Sequence, residues 1–170
     1  EMKRDFNIRF DDVELIGGAD NFLENSKITK FTLGGNSSLL SLNSMFKNCK
    51  NLEKVTLGKG LTNIGYEVFN GCNLIGEIVI PENVITIGEK AFYGNNGITG
   101  VKIPNSVTTI GNKAFMGCSG ITTLTVSDGV TDIGDSAFEN CTGITNLTLG
   151  ENIVNIGERA FYACHSLEAL

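Results

Sequence analysis

The amino-acid sequence predicts an α/β repeat fold, a solenoid with a 23-residue period, on three observations. Phenylalanine recurs every 23 residues from Phe46 to Phe161. An Ile-Gly pair recurs at the same interval, from Ile64-Gly65 to Ile156-Gly157. An apolar triplet follows each of the first five phenylalanines. Self-similarity at one fixed period is typical of a chain that stacks identical structural units.

The triplet predicts a short strand in every repeat. Its spacing, apolar-x-x-apolar-x-apolar, is the leucine-rich-repeat signature. The members are Leu52, Val55, Leu57; Ile75, Ile78, Ile80; Ile98, Val101, Ile103; Ile121, Leu124, Val126; and Ile144, Leu147, Leu149. The last two positions lie two residues apart, so they point to one side of a strand. Stacked copies therefore predict a parallel β-sheet on one face of a leucine-rich-repeat solenoid.

The second half of each repeat is predicted to return the chain through short helical or irregular segments. The glycine of the Ile-Gly pair is expected at a turn too crowded for a side chain. Ala114-Phe115 is expected on a short helical turn, with the phenylalanine inside. Val107 to Ile110 also fits a second short strand.

The domain organisation is a divergent N-terminal cap over residues 1–20 and a solenoid of about six to seven repeats over residues 21–170. Phe22, Ile28, Phe31 and Leu33 form an early copy, with one extra residue before Phe46. The last copy is truncated, because the sequence stops at Leu170 inside a strand motif. We expect either a piece of a longer array or an end covered by a second copy, with weak self-association through residues 144–170.

The repeat resembles the BspA-like, or Treponema pallidum-type, leucine-rich-repeat family. The matching run extends from Ile103-Pro104 to Gly117-Cys118, and Ile80-Pro81 through Phe92 repeats it. Ser44 to Cys49 departs from the pattern and is similar to the Met-Phe repeats of bacterial surface proteins. The resemblance implies an extracellular or cell-surface protein that recognises or adheres to a ligand. Such repeats also occur in phage-encoded proteins, and the family shares no catalytic residues.

Charge and hydropathy exclude several partners. The formal net charge is −6, and the imbalance lies at the two ends, most of it in an acidic C-terminal third where three basic residues face seven acidic ones. That surface repels phosphate backbones, so no nucleic-acid partner is expected. No stretch approaches the roughly 18 apolar residues of a membrane span, so no membrane insertion is expected.

Two columns of residues are predicted to stack inside the solenoid. They are Phe46, Phe69, Phe92, Phe115, Phe138 and Phe161, and Cys49, Cys72, Cys118, Cys141 and Cys164, with Asn95 in the vacant cysteine position. A metal or redox site needs convergent ligands, whereas these cysteines follow a line. The favoured interpretation is a ladder of small side chains beside backbone polar groups, and Asn95 suits it because an amide can satisfy such groups.

Other candidate chemistry is weak. His165 is the only histidine and directly follows Cys164, a spacing that rarely places a nucleophile and its base together. Asp128, Asp132 and Asp135 lack the ligand spacing of a calcium loop, so a solvated loop is favoured. The sequence therefore predicts no catalytic residues, no metal and no cofactor.

The candidate binding face consists of the strand residues that alternate with the core. They are Lys30, Thr32, Lys54, Thr56, Glu77, Val79, Lys102, Thr123, Thr125, Asn146 and Thr148, with Gly100 among them. The return segments carry Tyr66, Tyr93 and Tyr162 and compete as a partner site, as does the cap. The predicted function is non-enzymatic recognition of a protein or glycan. The alternatives are a structural spacer or phage tail-type presentation domain and, more remotely, an enzyme with a site in the cap.

Overall fold

A computed structural model describes residues 7–10, 28–33 and 41–167, with the backbone alone described at residues 7–10 and 41–42. The described residues form thirteen short strands joined by turns. They are β1 (Asn7–Phe10), β2 (Lys30–Leu33), β3 (Ser41–Leu42), β4 (Lys54–Thr56), β5 (Asn63–Ile64), β6 (Ile75–Val79), β7 (Thr86–Ile87), β8 (Gly97–Ile103), β9 (Thr109–Ile110), β10 (Thr123–Val126), β11 (Asp132–Ile133), β12 (Asn146–Thr148) and β13 (Asn155–Ile156).

The strands stack as a parallel solenoid whose register follows the sequence period. Thr123 of β10 pairs with Asn146 of β12, and Ile110 of β9 pairs with Ile133 of β11, in both cases 23 residues further on. This confirms the repeat fold and its period. We call each 23-residue coil a rung, named after the cysteine-column residue with which it begins.

Each rung contributes to two walls, not to one sheet face alone. The first wall contains the sheets β1-β2-β4 and β6-β8-β10-β12, and the second wall is the sheet β3-β5-β7-β9-β11-β13. The second wall forms where the sequence allowed a second strand, as at Thr109–Ile110. The first wall is divided, because β4 and β6 belong to different sheets.

The expected helical return segments are wrong, because the described residues contain turns there and no helix. In each return segment two residues four positions apart adopt a left-handed backbone, such as Lys113 (φ 57°) and Gly117 (φ 77°). A left-handed residue at every fourth position interrupts the α-helical dihedrals. Alternate N–H groups bond instead to the next rung, as from Phe115 N to Ala137 O at 2.8 Å. The return is therefore irregular and held between rungs.

The period extends closer to the N-terminus than the apolar pattern indicates. Asn7 pairs with Lys30 in parallel, again 23 residues apart, although residues 1–20 were assigned to a cap. Lys30 pairs with Lys54 at an offset of 24, which accommodates the extra residue before Phe46. Residues 11–27 lie outside the described part of the chain, so the cap assignment there stays a prediction.

The phenylalanine column lies at the centre of the core. Phe46 through Phe138 are fully buried, and consecutive rings stack with centroids 4.9–5.4 Å apart. Phe161 stacks on Phe138 at 5.3 Å but is only partly buried. One apolar position was assigned wrongly: Leu74 is buried in the core, whereas Ile75 is 46% exposed.

Candidate functional site

The outward residues of the first wall form the candidate binding face. Successive strand side chains point to opposite sides, so the residues between the core positions reach solvent. Lys54, Thr56, Glu77, Val79, Lys102, Thr123, Asn146 and Thr148 are exposed, and Lys30, Thr32 and Thr125 are half-buried. The sheet break separates Lys30 through Thr56 from the rest, so one continuous sheet carries only Glu77 through Thr148.

A shallow depression of about 410 Å³ lies in this sheet at Gly100. Its walls are Glu77, Thr99, Lys102, Thr122, Thr123 and Thr125, with Val101 behind them. The depression exists because Gly100 has no side chain between Glu77 and Thr123, its partners on the neighbouring strands. It offers four hydroxyl groups and one charge of each sign, a polar lining suited to hydrogen-bonding a ligand.

The second wall carries a depression of about 430 Å³ that the sequence pattern did not indicate. Thr109, Asp132 and Asn155 stand in one column on its floor, with Asn112 and Asp135 beside them. The only sequence signal is their spacing at the period. Hydrogen bonds from Thr131 and Asn155 lower the pKa of Asp132, although slight burial opposes the shift. These polar groups are thus engaged largely with each other.

The acidic residues Asp128, Asp132 and Asp135 act as acceptors between rungs. Oδ1 of Asp128 accepts the Glu151 N–H at 2.9 Å, and Oδ1 of Asp135 accepts the Glu158 N–H at 2.8 Å. Their carboxylates do not converge, and within the described ranges no three His, Cys, Asp or Glu side chains could share a metal ion.

The cysteine column lies inside, and the thiols of Cys72, Cys118, Cys141 and Cys164 donate to phenylalanine carbonyls 26 residues earlier. Cys118 Sγ lies 3.1 Å from Phe92 O, and Cys141 Sγ lies 3.2 Å from Phe115 O. All five cysteines are buried and none forms a disulfide. Burial raises the pKa of Cys118 to about 12, and it also raises the pKa values of Cys72, Cys141 and Cys164. A protonated, buried thiol is a poor nucleophile.

The histidine and the tyrosines do not assemble a site. His165 is exposed, whereas the Cys164 thiol is directed inward at Phe138 O, 3.2 Å away. Tyr66 and Tyr162 are exposed and Tyr93 is half-buried. Tyr93 and Tyr162 occupy equivalent positions, but two other rungs lie between them, and Tyr66 occupies a different position in its repeat. The return surface therefore lacks a continuous aromatic patch.

The return surface instead carries two buried carboxylates that the sequence reasoning missed. Glu67 pairs with Lys47 at 2.5 Å and Lys90 at 3.7 Å, and Glu139 pairs with Arg159 at 2.5 Å. Burial alone would raise the pKa of Glu67, but the Lys47 hydrogen bond and the charges of Lys47 and Lys90 hold it below its ordinary value. The Arg159 hydrogen bond lowers the pKa of Glu139. Both groups are thus neutralised within the return surface.

The repeat geometry is matched by a family model. The BspA type leucine-rich repeat region, in six copies, matches residues 7–99 and 85–170. The chain belongs to the BspA-type leucine-rich-repeat family. None of its described residues forms a helix long and apolar enough to cross a membrane.

Solved structures share the BspA-type fold. A T. pallidum leucine-rich-repeat protein is 24% identical with a TM-score of 0.83, over 96% of this chain and 78% of its own. A Bacteroides ovatus leucine-rich-repeat protein is 22% identical with a TM-score of 0.57, over 77% and 40%. A leucine-rich cell surface protein from Faecalibacterium prausnitzii is 25% identical with a TM-score of 0.50, over 84% and 47%.

This chain therefore spans less than half of the B. ovatus and F. prausnitzii structures. A comparison with curated proteins finds no significant match.

Proposed function

We propose that this BspA-type solenoid is a non-enzymatic, extracellular or cell-surface module that recognises a protein or glycan through its first wall. The observation that carries the proposal is the polar depression at Gly100, bordered by the exposed residues Glu77, Lys102 and Thr123. The F. prausnitzii structure, a cell surface protein, supports the location. Repeat proteins commonly bind through such extended faces.

The chemistry of the described residues supports binding over catalysis. The thiols are buried and protonated, and the exposed His165 stands apart from them. The face itself carries no Trp, Tyr or Arg, the residues that dominate tight interfaces. We therefore expect modest affinity, gained from hydrogen bonds spread over several rungs.

The test is selective binding to glycan and protein arrays, with two matched variants. Gly100→Thr fills the depression with the residue that its strand partner Thr123 already carries, and a Cβ there would lie 3.7 Å from its nearest neighbour, so folding should be unaffected. Ile85→Thr introduces the same residue type at an exposed position away from the first wall and is the control. We expect Gly100→Thr to weaken binding at least about tenfold, or about 1.4 kcal/mol. If Gly100→Thr and Ile85→Thr bind the ligand equally well, the binding site does not lie on the first wall.

A structural spacer or phage tail-type presentation domain is the second candidate. The observation that favours it is the unbroken stack of phenylalanine rings from Phe46 to Phe161, which links all rungs into one rigid rod. A spacer needs stiffness and no ligand of its own. Arrays that give no selective binding with a folded chain would favour this candidate.

A further inference from the structure

One rung departs from the register of the others just before the candidate binding face. In the other rungs, the first apolar residue of the triplet lies three positions after the cysteine-column residue and donates its N–H to that residue's carbonyl. Ile98 donates to Asn95 O at 3.3 Å, and Ile121 donates to Cys118 O at 3.2 Å. In the Cys72 rung, Leu74 takes the buried position although it lies only two residues after Cys72.

Crowding between rungs favours the inward position of Leu74. Glycine stands two positions after the column residue in the next three rungs, at Gly97, Gly120 and Gly143, whereas the exposed Asn51 and Ser166 stand there in the Cys49 and Cys164 rungs. A Cβ at Gly120 would lie 2.2 Å from Asn96 O, and one at Gly143 would lie 2.5 Å from Ser119 O. Contacts that short displace backbone, so a leucine in the common register would require the rung before it to shift. Turning Leu74 into the core avoids that shift.

The inward shift deprives the Leu74 N–H of the backbone carbonyl that accepts the equivalent N–H in the common register. The side-chain carbonyl of Asn95 takes the place of that acceptor. The Leu74 N–H donates to Asn95 Oδ1 at 3.0 Å, while Asn95 Nδ2 donates to Phe69 O at 2.8 Å and Phe92 O at 2.9 Å. A thiol in this column can donate to the carbonyl but is only a weak acceptor. An amide serves both needs, which accounts for the one asparagine in the cysteine column.

Gly76 restores the common register after the shift. Its φ is +81°, a region that favours glycine. Ile75 pairs with Gly97 at an offset of 22, whereas Glu77 pairs with Gly100 at the usual 23, so the irregularity lies between Gly76 and Glu77. Ile75 therefore points outward, 46% exposed, on the same strand as Val79, which is 73% exposed.

We propose that Leu74, Gly76 and Asn95 act together as positioning residues that turn Ile75 onto the first wall, two residues before Glu77 at the edge of the Gly100 depression. Ile75 and Val79 supply an apolar element on an otherwise polar face, so the ligand carries an apolar group beside its hydrogen-bonding groups. The role in binding rests on the proposed recognition function, whereas the register itself does not.

A double-mutant cycle tests the register. Asn95→Cys leaves the buried Leu74 N–H without a strong acceptor, and Leu74→Gly leaves either a cavity or an unpaired Asn95 amide, so each should lower the melting temperature. Together they restore the common motif, with Ile75 in the core. We expect the double variant to melt above both single variants. A melting temperature below both would overturn the proposal.

Thiol labelling reports the register directly. An Ile75→Cys probe should react fast in the otherwise native chain, and at least about tenfold more slowly when Leu74→Gly and Asn95→Cys are added, because burial limits access. The control probe is Val79→Cys, which lies beyond the shift and should react fast in both backgrounds. An Ile75→Cys probe whose thiol still reacts fast in the folded double variant would refute the register assignment.

A second variant covers the case in which the double variant does not fold. Gly76→Ala meets nothing within 4 Å, so it acts on the backbone dihedral alone. It should slow labelling of the Ile75→Cys probe. Gly94→Ala is the matched control, since its position also has open space and positive φ but lies outside the shifted strand, and it should leave labelling unchanged. Equal labelling of the probe in both backgrounds would again overturn the proposal.

Binding is tested separately. For any ligand found on the arrays, Ile75→Thr should weaken binding at least about tenfold, and Ile85→Thr should not. Unchanged binding with a confirmed register would remove Ile75 from the recognition site while leaving the positioning role of Asn95 intact. A refuted register together with weakened binding by Ile75→Thr would instead keep Ile75 in the recognition site and remove the positioning role of Asn95.

Discussion

Inside the solenoid, buried polar side chains stand where a backbone group of an adjacent rung needs a partner. The Cys118 and Cys141 thiols donate to phenylalanine carbonyls, and Asn95 donates to the equivalent carbonyl with its amide. A buried carbonyl left without a donor would cost about 1–3 kcal/mol. At the scale of the residue, the cysteine column is thus a hydrogen-bond ladder as well as a packing ladder.

The phenylalanine column predicts a large penalty for removing one ring. Phe115 stacks on Phe92 at 4.9 Å and on Phe138 at 5.2 Å. Phe115→Ala should cost about 3–5 kcal/mol in the free energy of unfolding, because it leaves a cavity between two rings. Denaturant melts of the wild-type chain and the variant measure this loss of stability. Phe161→Ala, at a partly buried ring, is the control and should cost less; a Phe115 loss below about 1 kcal/mol would contradict the stacking.

The thiols predict slow chemistry in the native state. Titration of the folded chain should be slow, and unfolding should release five reactive equivalents, since all five cysteines are buried and none forms a disulfide. Raised thiol pKa values favour the protonated native state. That stabilisation is complete below the ordinary thiol pKa of about 8.5 and is lost as pH rises towards the raised pKa of Cys118, about 12. Fewer than five equivalents without reductant would show a disulfide.

At the scale of the element, the close approach of successive rungs decides which glycines are required. The glycines of the Ile-Gly pairs stack on each other, and a Cβ at Gly88 would lie 2.6 Å from the carbonyl carbon of Gly65. The requirement there is space, because no positive φ occurs at these positions. At Gly100, on the outer face of the first wall, the space is open.

This contrast predicts opposite outcomes for two Gly→Ala substitutions. Gly134→Ala places its Cβ 2.6 Å from the Asn112 backbone nitrogen and should destabilise the fold by about 1–3 kcal/mol through overpacking. Gly100→Ala meets nothing closer than 3.7 Å and should change stability by less than about 0.5 kcal/mol. Chemical denaturation measures the free energy of unfolding of both variants. Equal losses of stability would mean that the spacing between rungs does not determine where glycine is required.

At the scale of the whole molecule, the last described rung leaves core residues uncovered. Ile156 is 53% exposed although Ile110 and Ile133 in its column are buried, and Leu149 is 38% exposed. The N–H groups of Arg159 and Phe161 find no acceptor among the described residues, whereas their counterparts in earlier rungs donate to the next rung. Residues 168–170, at the end of the proposed association surface, lie outside the described part.

We predict weak, concentration-dependent self-association of this chain through residues 144–170. Apolar surface and open backbone donors should drive it, and we expect it to be weak because an end-to-end contact involves only one rung of each copy, whereas specific interfaces bury at least about 1,000 Å². Light scattering should show association that Leu149→Thr with Ile156→Thr abolishes. Ile85→Thr, at an exposed residue outside residues 144–170, is the control. A wild-type chain that stays monomeric at high concentration would show that the end is already protected.

The repeat, its 23-residue register and the inward columns of phenylalanine and cysteine follow from the amino-acid pattern alone, because a solenoid repeats each contact at the sequence period. Features that depend on contacts with an adjacent rung required the three-dimensional structure. Leu74 and Ile75 are equally apolar, and only crowding between rungs and the Asn95 amide determine which is buried. Likewise, Lys113 adopts positive φ because hydrogen bonds to the next rung replace helical ones, a condition that no local pattern records.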